Sequence, residues 1–250
     1  MAIIFILMVL ILIFVKSPFG KGLIGESLVN LAINLRLDKN IYHLFKNVTI
    51  PAKNGTTQID HLIVSKYGIF VIETKNMKGW ICGDKNQKTW TQKIYKHTNK
   101  FQNPLHQNYK HIKTLESLLN IDKDKIFSII TFVGDSTFKT EMPDNVTYTG
   151  GFINFINSKT IKLFSEQEVI NINLQIAKKR LSQTLKTHAE HVKHVKNIVQ
   201  EKENKNLCPR CGNLLVKRVS KRGANIGSEF YGCSSYPKCR YTAKLSNKTE

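Results

Sequence analysis

Residues 58–76 read QIDHLIVSKYGIFVIETKN, and their reading decides the fold. Two strands, Gln58–Ser65 and Ile69–Thr74, meet at the turn Lys66–Gly68. The second is almost continuously apolar, as expected of a strand covered on both faces. Side chains alternate along a strand, so Glu73 and Lys75 project to one face. Pairing as a hairpin through Lys66–Gly68 brings Asp60 close to opposite Glu73. Two carboxylates and an ammonium then converge at one sheet edge. Spacing alone also fits an ordinary strand-end ion pair, because Asp-x(n)-Glu-x-Lys is a loose pattern.

Upstream, Leu28, Leu31, Ala32 and Leu35 recur at helical spacing within Gly25–Leu37. Tyr42–Ile50 alternates like a strand, and Pro51 with the turn Lys53–Gly55 is expected to end it. Downstream, Gly79–Cys82 and Trp90–Tyr95 read as short strands around the turn Gly83–Asn86. A loop then runs to Asn103, and Pro104 opens a helix through Leu119. Ile126–Val133 is a second buried strand and Val146–Thr149 a weak one. Two further helices are expected near Phe152–Ile156 and from Ser165. This order predicts an α/β sandwich with a mixed sheet. From Glu166 to Asn206 the pattern is helical and increasingly polar, so it reads as an extended helix or linker. His188, His191 and His194 share one face there. Three such histidines on one helix do not close a tetrahedral metal site, which favours a solvated face.

The carboxylate cluster suits phosphodiester chemistry. Asp60 and Glu73 offer hard oxygen ligands to Mg²⁺ or Mn²⁺. Such a cation polarises a phosphoryl oxygen and helps generate hydroxide. Lys75 beside it can orient the attacking water or stabilise developing charge. The surroundings form an ordered set: Gly25-Glu26, Gly55 to His61, Tyr67 to Asn76, Gly79-Trp80, Trp90, and Asn103-Pro-Leu-His-Gln107-Asn. Together they resemble the nuclease-related (NERD) domain, a branch of the PD-(D/E)XK nuclease superfamily, over about Gly22 to Phe132. The resemblance implies a restriction-endonuclease-like α/β/α core. It gives Asp60, Glu73 and Lys75 the metal-binding and catalytic places. It adds Glu26 from the first helix and Gln107 from the later one.

The formal charge is +20, from 38 Lys and Arg against 18 Asp and Glu. From Lys178 to the end there are 17 basic and 5 acidic residues, so the surplus is concentrated. That favours a polyanionic partner over simple solubility. Ala2–Val15 carries no polar side chain. A signal peptide would need a positive start and a small-residue cleavage site, and a buried helix would show a polar face. A short membrane anchor fits better, with an uncleaved interfacial peptide as the rival. Lysines follow the run and none precedes it, so the positive-inside rule puts the body in the cytoplasm.

Four of the five cysteines form two close pairs. Cys208, Cys211, Cys233 and Cys239 can close a tetrahedral Zn²⁺ site, which implies a reducing compartment. Cys82 reads as a small buried strand residue. Leu214-Leu-Val, Arg218, 221–223, Phe230 to Cys233, Tyr236 to Cys239 and Tyr241 resemble the C-terminal zinc ribbons of bacterial type I topoisomerases. That resemblance implies single-stranded DNA binding. Independently, aromatic and cationic side chains interleave: Tyr231, Tyr236 and Tyr241 with Arg218, Arg222, Lys238 and Arg240. The other reading packs these aromatics around the metal in a protein-docking module.

The expected organisation is an anchor helix at 1–16, a nuclease-like domain at 20–165, a polar helical linker at 166–205 and a ribbon at 206–245. The expected function is Mg²⁺-dependent cleavage of nucleic acid, DNA in the first instance, at the cytoplasmic face of the cell membrane. The alternative is a catalytically silent, membrane-tethered DNA-binding scaffold.

Overall fold

The structure, a computed structural model, describes residues 2–53, 55–181, 208, 210–211, 213–220 and 227–244. The histidine stripe at 188–194, Arg222 and most of the expected linker lie outside them.

A five-stranded mixed sheet forms the centre, in the order β1-β2-β3-β7-β9. Its strands are β1 (His43–Ala52), β2 (Gly55–Ser65), β3 (Gly68–Asn76), β7 (Ile126–Val133) and β9 (Val146–Tyr148). The β1-β2-β3 meander is antiparallel, whereas β7 and β9 join β3 in parallel. β3 is therefore central, which is why IFVIE is buried without a break. Pro51 does not end β1 but pairs with Thr56 inside it. β1 is an edge strand, so a residue lacking an N–H need not interrupt the ladder.

Helices cover both faces. On one side α3 (Pro104–Leu119) and α5 (Glu166–Lys179) pack Ile112, Leu115, Val169 and Ile172 against Leu62, Val64 and Val71. On the other, α2 (Pro18–Arg36) and α4 (Gly151–Asn157) pack Val29, Ile33, Phe152 and Ile156 against Ile63, Phe70 and Ile72. The result is the three-layer α/β/α arrangement. α5 is part of this packed body through Ile176, so the start of the polar helical segment carries core residues. Its Ser165–Glu168 capping box and its apolar stripe account for that.

A second sheet stands beyond the first, in the order β6-β5-β4-β8. Its strands are β4 (Gly79–Cys82), β5 (Thr89–Ile94), β6 (His97–Gln102) and β8 (Ser136–Phe138). A single sheet was expected, and His97–Gln102 read as loop because its polar residues carry no apolar alternation. Its backbone pairs along all of β5 instead. β4 continues β3, β8 continues β7, and both parallel pairs keep the same offset of 57 residues. The break between them falls at Gly134, at φ +88°, where an added Cβ would meet Asn76 Oδ1 at 2.7 Å. Trp90, Ile81 and Phe132 fill the junction, the two rings stacked at 6.2 Å. Cys82 is half-buried rather than buried.

At the N-terminus α1 (Ala2–Lys16) exposes its apolar side chains from Ile4 to Val15. Ser17 caps α2 by accepting from Gly20 N–H at 3.0 Å, and the two helices meet at 76°. Among the described residues no single helix is long and apolar enough to cross a membrane; α1 and α2 reach that length and composition only when the bent pair is taken together.

The ribbon is a three-stranded antiparallel sheet of β10 (Leu215–Val219), β11 (Glu229–Cys233) and β12 (Thr242–Lys244).

Candidate active site and metal centre

β2 and β3 pair with His61 opposite Ile72, which carries Asp60 to the level of Glu73. The main-chain N–H of Thr74 donates to Asp60 Oδ2 at 2.9 Å. Lys75 Nζ lies 2.6 Å from Glu73 Oε1 and donates to Gln107 Oε1 at 3.0 Å. Gln107 is in the first turn of α3, whose start is held by Asn103. That side chain accepts from Leu105 N–H and donates to the carbonyls of Asp84, Lys85 and Gln87. Glu26 arrives from α2. Gly25 lets the helix approach the sheet, since a Cβ there would meet Asn76 Cβ at 2.9 Å. Asn76 fastens the contact by donating to Lys21 O at 2.7 Å. The sequence-derived set of Glu26, Asp60, Glu73, Lys75 and Gln107 thus comes together from two strands and two helices.

Several partners escaped the sequence reading. His111, one turn beyond Gln107, places Nε2 3.4 Å from Glu73 Oε2 while Nδ1 contacts Thr57 Oγ1 at 2.7 Å. Asn47, at φ +49°, interrupts the β1 ladder opposite Asp60 and hydrogen-bonds Glu26. Asn108 is fully buried and donates to Val71 O and Ser128 Oγ, both at 2.8 Å, which pins α3 across β3 and β7. A usable signal existed for two of these: His111 and Asn108 fall four and one residues after Gln107, on an otherwise apolar helix stripe. Nothing local marks Asn47.

The electrostatics separate the carboxyls. Burial raises Asp60 well above the usual carboxylate range, and the Glu73 charge raises it further. Burial also pushes Glu73 up, but Lys75 and His111 outweigh it and hold its carboxyl below the ordinary value. Glu26 is raised by burial, partly offset by the Asn47 hydrogen bond. Burial lowers the His61 imidazole to about 4, so it is neutral near pH 7. A buried cluster of carboxyls, one of which holds its proton tightly, is suited to a hard cation, which would relieve the repulsion. Glu73 Oε2 is buried with His111 Nε2 at 3.4 Å and no closer hydrogen bond, which leaves it capacity to bind an oxygen-seeking ion. The three carboxyls do not converge as tightly as a closed metal set. Among the described residues only the cysteine quartet does that. A depression of about 400 Å³ between α2 and β1 contains none of the five site residues.

In the ribbon, the Sγ atoms of Cys208, Cys211, Cys233 and Cys239 all lie within 4.8 Å of one another. Two of the separations are 3.7 Å (Cys208–Cys239) and 3.2 Å (Cys211–Cys233). A tetrahedral zinc thiolate has S···S edges of about 3.8 Å, so the quartet fits that ion. Leu215 and Tyr241 pack against it. Tyr241 therefore serves the metal core, whereas Tyr236 is 60% exposed with the Arg218 guanidinium 5.7 Å from its ring. Lys238 and Arg240 are exposed and Tyr231 is half-buried.

Residues 21–133 match the family described as the nuclease-related domain, and residues 205–248 the topoisomerase DNA-binding C4 zinc finger. An uncharacterized protein of Bacillus anthracis is 48% identical over 103 residues, 41% of this chain and 48% of the relative. DNA topoisomerase 1 of Methanocaldococcus jannaschii is 44% identical over 50 residues, 20% of this chain and 6% of that protein. Its Helicobacter pylori counterpart is 38% identical over 58 residues, 22% of this chain and 7% of that protein. The chain thus spans about half of the first relative and a small part of the topoisomerases. No solved structure matches it significantly.

Proposed function

For a chain that carries a nuclease-related domain followed by a topoisomerase-type C4 zinc ribbon, we propose metal-dependent hydrolysis of nucleic acid, DNA in the first instance, at a membrane surface. The observation that carries this reading is the Lys75 ammonium, held by Glu73 Oε1 and Gln107 Oε1 beside Asp60. Asp60 and Glu73 would hold Mg²⁺ or Mn²⁺, which supplies Lewis acidity and an activated water when bound. Lys75 orients that water or meets the charge developing on phosphate. Glu26 adds negative potential that favours a cation, and Gln107 sets the direction of Lys75. The ribbon would deliver nucleic acid through Arg218, Tyr231, Tyr236, Lys238 and Arg240, with Zn²⁺ as its structural ion. α1 would anchor the assembly, supported by its uninterrupted apolar exposure and by Lys16 and Lys21 after it. The second reading, a silent tethered DNA-binding scaffold, would keep the ribbon and the basic surface and dispense with the carboxylates.

The deciding experiment is a nuclease assay over Mg²⁺ and Mn²⁺ titrations, paired with Mn²⁺ binding read directly by electron paramagnetic resonance. Wild type should cleave with either ion. Asp60→Asn should lose on the order of 100-fold or more in rate and weaken Mn²⁺ binding while still binding DNA. Wild type that binds DNA but never cleaves DNA or RNA establishes the scaffold instead.

A further inference from the structure

We propose that the outer face of the second sheet is a nucleic-acid-binding surface of the nuclease-related domain itself, distinct from the ribbon, with Trp80 as its stacking platform. The proposal rests on the nuclease reading and names where the substrate strand would run.

Trp80 is 49% exposed, although the protein's other tryptophan, Trp90, is fully buried in the junction between the sheets. The difference follows from strand alternation. Ile81 and Trp90 point inward, so Trp80 and its cross-strand partner Lys93 point out. Two ammonium groups flank the exposed ring: Lys139 Nζ at 4.8 Å and Lys93 Nζ at 5.7 Å from its centroid. Lys100 stands on the same face one strand further out, opposite Thr91. Between residues 78 and 100 the chain has six lysines and a single acidic residue, Asp84. A folding role needs neither an exposed indole nor this charge imbalance. Cations along a strand and an aromatic face between them are what a nucleic-acid backbone and an unpaired base require.

Position adds to the case. β4 and β8 prolong β3 and β7 without a change of register. The platform therefore lies on the continuation of the strand that carries Glu73 and Lys75, only five residues beyond Lys75. The loop 84–88 that joins β4 to β5 is tied by Asn103 and His106 to the start of α3, which carries Gln107. The platform is thus joined through β4 and the 84–88 loop to the elements that carry Glu73, Lys75 and Gln107.

The test uses intrinsic fluorescence of the full chain. Trp90 is buried, so acrylamide quenching reports on Trp80 alone. Adding a single-stranded oligonucleotide without divalent metal should quench Trp80 emission and protect it from acrylamide. Duplex of equal length should do so less. Lys93→Gln with Lys139→Gln should reduce the salt dependence of that local binding by about 1.4 log units per log unit of salt, for two lost phosphate contacts. Trp80→Ala should weaken binding about tenfold or more at this surface, and Trp80→Phe should restore most of it. Suppose the chain binds oligonucleotide while Trp80 emission and acrylamide access stay unchanged. The surface proposal then falls, and the ribbon and nuclease readings stand. A chain that binds no nucleic acid at all overturns both. Quenching by anionic vesicles but not by oligonucleotide also overturns it.

Discussion

Lys75 Nζ sits 2.6 Å from Glu73 Oε1, two residues back on the same face of β3, with the Glu73 side chain 4% and the Lys75 side chain 21% exposed. Two neighbouring charges on a strand would ordinarily be screened and loosely held. Here Gln107 fixes the ammonium from a second element, so its direction is set. Lys75→Met should therefore lower the cleavage rate on the order of 100-fold, with a smaller change in Mn²⁺ affinity. Gln107→Ala should fall between that and wild type, because the ammonium remains but loses its guide. Single-turnover rates and Mn²⁺ titration of both variants check this. Unaltered single-turnover rates would remove Lys75 from the chemistry.

Asp60 has a pH consequence with a definite sign. Its folded-state pKa is raised above its ordinary value of 3.8, so the folded protein holds the proton more tightly than the unfolded chain. The associated stability is present below about 3.8 and is lost as pH rises through the folded value. Without divalent metal, Asp60→Asn should melt higher than wild type at pH 7, by on the order of a few °C, with the gap closing in acid. Glu73 is lowered and acts in the opposite sense, stabilising above its ordinary value of 4.5 and losing that contribution in acid. Melting curves from pH 3 to 8 for wild type, Asp60→Asn and Glu73→Gln separate the two. Mg²⁺ should raise wild type at pH 7 and leave Asp60→Asn nearly unmoved.

Among its described residues the ribbon has little apolar burial beyond its cysteines, Leu215 and Tyr241. Metal binding should supply most of its folding free energy. Wild type should carry about one zinc per chain. Cys233→Ser should lose it, unfold the ribbon locally and leave the thermal transition of the α/β body in place. Zinc retained at full stoichiometry in Cys211→Ser, Cys233→Ser would refute the assignment.

Removal of residues 2–15 should free the protein from the membrane fraction without altering its nuclease activity on oligonucleotides. The exposed apolar side chains of α1 make no core for the domain to lose. Fractionation without detergent decides it, and equal solubility of the full and shortened chains would end the anchor reading.

The strand and helix inventory was legible where one pattern had one meaning. The unbroken apolar runs of β3 and β7 required cover on both faces, and Asn103-Pro104 marked the start of α3. The cysteine spacing likewise required a compact quartet, and residues 58–76 dictated that Asp60, Glu73 and Lys75 meet, because strand alternation and a short turn leave little choice. What only the tertiary structure decided depends on residues far apart in the chain. β6 forms because β5 offers it a partner, not because its own residues prefer a strand. Glu26 reaches the cluster because Gly25 lets α2 close on Asn76, and His111 reaches Glu73 because Asn108 pins α3 across the parallel strands. Trp80 and Trp90 are ten residues apart and chemically identical, yet one is exposed between two lysines and the other sealed in the core. The pleat sets which way each points, but which side of the second sheet is covered was settled only when Gly134 turned that sheet and Phe132 met Trp90.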